Sequence, residues 1–209
     1  MRITWLTLAA LGIIIGSAGA LPGLHTGIAH ATVEPSRVPI SWELGFKYGP
    51  MERITVDVAG TPTPFWFMRY TVANNSGKDV LFTPNFEIVG ESGVAMPAFK
   101  NVPSTVFEKI KTLYKNNLML SPTDVYGKLL QGDDNAKDGV IIFPALDPDS
   151  RNFQLFIMGL SGETAEVKNP ITNKPVILQK TLELDLNIPG QAIGIDPQSK
   201  VTTAKWVMK

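Results

Sequence analysis

Alternation of apolar and polar positions dominates this chain from about Arg53 onward. The stretch Val176 to Ile188 shows it best. Leu182, Leu184, Leu186 and Ile188 fall on one face, and Glu183, Asp185 and Asn187 on the other. That is the pattern of an antiparallel strand with one buried and one wet face. Arg53 to Val58, Trp66 to Ala73, Val80 to Thr83, Phe86 to Val89, Val94 to Met96, Val140 to Phe143, Phe153 to Leu160, Thr164 to Lys168 and Lys200 to Met208 also read as strands. Turn chemistry separates them at Asn74 to Asp79 and at Gly90 to Gly93, and Pro84 marks an edge or a bend. Thr32 to Pro64 is looser, with Pro35, Pro39, Pro50, Pro62 and Pro64, and Arg53 to Val58 is its one convincing strand.

The period changes in the middle of the chain. Thr105 and Glu108 have capping-box spacing, and Val106, Phe107, Ile110, Leu113 and Tyr114 form a helical apolar stripe. Ser121, Pro122 and Asp124 punctuate the start of a second helix, with Val125, Leu129 and Leu130 apolar and Gly132 as a left-handed stop. Helices are predicted at about 105–116 and 122–131. Two strands are apolar on both faces. Phe65 and Phe67 oppose Trp66, Met68 and Tyr70, while Phe153, Leu155 and Ile157 oppose Phe156, Met158 and Leu160. Such strands need cover on both sides. The helical insertion is the expected cover, with Ile110 and Leu113 buried against the face of Trp66 and Tyr70 or that of Phe156 and Met158.

The first residues have a different grammar. Arg2 precedes an apolar run from Leu6 to Ile15, then small residues and two A-x-A patterns ending at Ala20 and Ala31. This predicts a secretory signal peptide over residues 1–31, with cleavage after Ala31 favoured over Ala20. The alternative is an uncleaved anchor, because Ile3 to Leu21 approaches the roughly 20 apolar residues that span a bilayer. The expected location is periplasmic or extracellular. Loss of Arg2 leaves 18 Lys+Arg against 19 Asp+Glu, a net charge of −1. A balanced charge argues against nucleic acid as a partner, and no membrane association is expected after cleavage.

Tyr70-Thr71-Val72-Ala73-Asn74-Asn75-Ser76-Gly77-Lys78-Asp79-Val80 resembles the second-strand hairpin of bacterial extracellular immunoglobulin-like domains of unknown function. The resemblance covers about residues 53–96. It implies a sandwich fold in an envelope setting and brings no catalytic residues. The expected fold is therefore mainly β: an immunoglobulin-like antiparallel β-sandwich with a short two-helix insertion. Its parts would be an irregular segment at 32–52 and a domain at 53–209, with the insertion at 104–131.

Composition narrows the chemistry. The chain has no cysteine and two histidines, His25 and His30, both before Ala31. Serine–histidine, cysteine–histidine and zinc chemistry cannot be assembled from residues beyond Ala31. Gly159-Leu160-Ser161-Gly162-Glu163 approaches a nucleophile elbow but has Glu163 in place of the last glycine. Asp133, Asp134 and Asp138, with Asp147 and Asp149 in the next connection, are candidate calcium ligands; their spacing fails the EF-hand pattern. Trp66 and Trp206 lie in strands, so Trp42 is the candidate for an exposed sugar-stacking residue. No cofactor is expected. The chain reads as a non-catalytic envelope domain that binds protein, either an envelope partner or its own copy, or serves as a structural module. The alternative is a carbohydrate- or small-ligand-binding module.

Overall fold

A computed structural model describes residues 33–146, 150–188 and 199–209. The predicted signal peptide, both cleavage positions and the alternative anchor lie outside the described residues, as do Asp147 and Asp149. Among the described residues no helix is long and apolar enough to cross a membrane.

The chain from Val33 onward is mainly β, and its strands pair antiparallel. β1 (Gly45–Val58) and β2 (Thr61–Asn74) form a long hairpin, and β7 (Gly132–Phe143) pairs with the other side of β2. The hairpin turns at Ala59-Gly60, both at positive φ. β1 is longer than the strand predicted within it, and β2 begins among the prolines. Pro62 and Pro64 pair only with β1, because the β2–β7 register starts at Trp66↔Phe143. A proline lacking an N–H is tolerated where the strand has a free side.

The second sheet has the order β11 (Lys200–Met208), β10 (Pro175–Asn187), β8 (Asn152–Met158), β4 (Asn85–Val89), β5 (Ala95–Pro97). β9 (Thr164–Lys168) pairs with the early part of β10. A two-stranded sheet joins β3 (Val80–Phe82) to β6 (Gly127–Leu129). Trp66, Met68, Tyr70, Ile141 and Phe143 from the first sheet share one core cluster with Phe86, Leu155, Ile157, Leu184 and Leu186 from the second. One apolar core between two antiparallel sheets is consistent with a β-sandwich.

Asn74 organises the stretch that resembles an immunoglobulin-like hairpin. It is fully buried, donates to the carbonyls of Lys78 and Leu129, and accepts from the Ser76 N–H and hydroxyl. β2 and β3 are not partners across this turn. It is a corner that delivers the chain to β6 instead.

Only one of the two predicted helices forms among the described residues. α1 (Ser104–Tyr114) has Pro103 at its N-cap and no side-chain cap, so the Thr105–Glu108 capping box is not made. Val106, Phe107 and Ile110 are buried against Ile54, Val56, Phe65, Phe67, Val140 and Ile142. The insertion therefore does cover an outer face, but it is the face of Phe65 and Phe67, not that of Trp66 and Tyr70. Leu113 is 60% exposed; Tyr114, one turn beyond Ile110, takes the inward place.

The predicted helix at 122–131 reduces to a single turn. Ser121 accepts the Asp124 N–H on its hydroxyl, and its carbonyl accepts from Asp124 and Val125. Gly127 then takes φ 119 and the chain enters β6. A strand separates Leu129, fully buried, from Leu130, 45% exposed. A helix would hold both on one stripe.

Candidate functional site

The sequence candidates do not converge. Trp42 is half-buried and packed against the main core rather than standing free. Its carbonyl accepts the Gly162 N–H, and a Cβ on Gly162 would collide with its indole nitrogen. Gly162 is thus the residue that lets Trp42 close onto the chain, which leaves Trp42 half-buried rather than fully exposed. Ser161 of the near-elbow accepts the Glu163 N–H and bridges to Glu43 in a strand-end turn. Trp66 is buried and Trp206 half-buried, both in the core region.

The aspartates separate along β7. Asp133 accepts from Asn75, while Asp138 accepts from the Thr71 hydroxyl at 2.7 Å and from Asn116 at 3.0 Å. Asp134 is exposed. Among the described residues no group of three or more histidine, cysteine or carboxylate side chains is arranged to hold a metal ion. The calcium candidates Asp133, Asp134 and Asp138 are therefore not assembled, because successive Asp133 and Asp134 point to opposite faces of the strand and Asp138 lies four residues beyond Asp134, at about 3.3 Å per residue.

Two cations outside the sequence candidates occupy the more informative places. Lys180 sits at an inward position of β10, with a side chain only 2% exposed. Its ammonium lies 2.9 Å from Glu43, 3.3 Å from Glu163 and 2.9 Å from the Ser36 carbonyl. Glu163 also accepts the Ser36 N–H at 2.7 Å. Burial opposes ionisation at both sites. Even so, Ser36 and Lys180 hold the Glu163 carboxyl below the usual carboxylate value, and Glu43 and Glu163 raise Lys180. The cluster pins the segment that precedes β1.

Arg69 is the second. It follows Phe65 and Phe67 on the helix-covered face of β2, just where α1 ends. Its guanidinium lies 3.6 Å over the Tyr114 ring and 3.7 Å from Glu52, and its Nε is buried without a hydrogen-bond acceptor. The Tyr114 hydroxyl donates to Glu52; burial, then that carboxylate, push the phenol up to about 12. Beside Arg69 a cleft of about 210 Å³ opens, lined by Lys47, Gly49, Thr71, Asn116, Asp138 and neighbours. A β-bulge between Tyr48 and Met51 shapes one wall. The chain after α1 makes the other. Gly139 belongs to the floor, where a Cβ would strike the Tyr70 ring. A second hollow, of about 310 Å³, lies near Glu91, but that carboxylate already accepts from Arg151 and Asn152.

The third feature is a ribbon. β9 pairs with Pro175 to Gln179 of β10, outside the register that joins β10 to β8, and at its base Gln179 also exchanges backbone bonds with Lys209. Ile171 near its tip is 91% exposed, Ile177 58% and Val176 39%. No family model matches the chain, and no curated protein or solved structure matches it either.

Proposed function

We propose that this chain is an exported, non-catalytic domain of the cell envelope that binds another envelope protein. The observation that carries the reading is the β9–β10 ribbon, which leaves Ile171, Ile177 and Val176 in water. Exposed apolar side chains lose contact with water when a partner covers them, and Val176 and Ile177 offer one on each face of the ribbon. Export rests on the leader pattern at residues 1–31. An immunoglobulin-like fold is supported by the sequence resemblance of the Tyr70 to Val80 stretch and by the antiparallel sheets, although that stretch forms a corner rather than a hairpin. A double substitution, Ile171→Asp with Ile177→Asp, is the test. It leaves the melting temperature within a few degrees and abolishes crosslinking to a neighbour in the native envelope. Equal crosslinking by wild type and variant would refute the reading. Concentration-dependent self-association lost in the variant would instead make the partner a second copy. A second reading, small-ligand binding, is favoured by the cleft beside Arg69.

A further inference from the structure

Resting on that second reading, we infer that the Arg69 cleft takes a small hydroxylated carboxylate, of the kind a uronic acid presents. Three observations support the ligand class. First, two cations, Lys47 and Arg69, line the cleft with one acid, Asp138, while Glu52, the ion-pair partner of Arg69 at 3.7 Å, is not among the lining residues. Second, Arg69 is ion-paired with Glu52 but not hydrogen-bonded to it. Tyr114 stacks beneath it, and the nearer Glu52 oxygen stands at 3.7 Å, outside hydrogen-bond range, while the other accepts from the Tyr114 hydroxyl. A guanidinium fixed in orientation and short of acceptors is suited to a planar carboxylate. Third, Asp138, also in the lining and a diagonal neighbour of Arg69 on the next strand, is oriented by Thr71 and Asn116. Its remaining lone pairs can accept from hydroxyl groups of the same ligand. About 210 Å³ admits one ring with its substituents rather than a polymer segment.

The experiment is an amide-shift titration of the full exported chain with glucuronate, glucose and acetate in parallel. Glucuronate is expected to shift residues around Lys47, Arg69 and Asn116 saturably, at least tenfold more tightly than glucose or acetate. Arg69→Gln should reduce that affinity about tenfold. Lys47→Gln, at an exposed position outside the Tyr114 stack, should reduce it severalfold without altering stability. Weakening by added salt should accompany both. Glucose binding as well as glucuronate would keep a ligand site and overturn the carboxylate. Acetate binding as well as glucuronate would overturn the role of Asp138. No saturable shift with any of the three would overturn both the inference and the second reading, leaving the ribbon proposal standing.

Discussion

Lys180 and Arg69 have related signatures in sequence and opposite fates in the fold. Each is a cation beside apolar residues of the same strand parity: Leu178 and Leu182 flank Lys180, while Phe65 and Phe67 precede Arg69 and the polar Thr71 follows it. Lys180 ends sealed between Glu43 and Glu163. Arg69 keeps 38% of its side chain open beside a cleft. What separates them is the cover. The segment before β1 folds over Lys180 and brings acceptors with it, whereas α1 ends at Tyr114 and leaves Arg69 just past its edge. A cation enclosed with its acceptors works as a fastener. One left short of acceptors at an opening is available to a ligand.

The contrast predicts its largest effect at Lys180. Lys180→Ala would strand two carboxylates, one of them 6% exposed, and should cost about 3–5 kcal/mol in denaturant unfolding. The pH dependence is set by the two shifts. Glu163 is lowered, so its contribution is present above the ordinary carboxylate pKa and disappears as pH falls through its folded value. Lys180 is raised, so its contribution is present below the ordinary lysine pKa and disappears as pH rises through its folded value. Wild-type stability from this cluster should be flat between those limits. In Lys180→Ala, acid loss should begin at a higher pH. A variant as stable as wild type would break the contrast.

The next effect sharpens where the cover stops. Ile110 is fully buried under α1, and Ile110→Ala should cost about 2–5 kcal/mol. Leu113→Ala, in the same helix, should change stability by less than about 0.5 kcal/mol. Equal costs would mean that α1 reaches farther over the sheet. The smallest effect is expected at the open cation. Arg69→Ala removes a stacked guanidinium that is partly in water, and should cost about 1 kcal/mol or less. A loss matching that of Lys180→Ala would make Arg69 a second fastener and close the case for a ligand there.

The two strands apolar on both sides show how much of the fold is legible in sequence. Both are legible as needing cover. For Phe65 and Phe67 the cover is α1. For Phe156 it is a row of long side chains. Glu87 and Glu183 flank Phe156 in register, and Lys209 lies 3.7 Å over its ring while pairing with Glu87 at 2.8 Å. Lys205 binds Glu183 at 3.0 Å to complete the row. Charged side chains with long apolar stems cover a ring in this way. Period-two patterning cannot distinguish that from a buried face, because the covering residues lie on other strands. The site is less legible than the fold. Trp42 stands out as an aromatic in an irregular stretch, yet Gly162 admits it to the core edge. The better signal is a charge that interrupts an apolar parity, at Lys180, or ends one, at Arg69.

The order of residues alone determined that this chain is built of antiparallel strands, since alternation with period two has one physical use in a half-buried sheet. It also determined that one amphipathic helix lies over an apolar face, and that histidine and thiol chemistry are absent after Ala31. Tertiary pairing decided the rest. Ser121 caps a turn in either outcome, but the hydrogen bonds β6 makes with β3, and the burial of Leu129 without Leu130, turned a predicted helix into a strand. Register placed Asp133 and Asp138 apart and set Arg69 beside Lys47 and Asp138. These are contacts between residues distant along the chain, and a local pattern carries no information about which distant partner will be met.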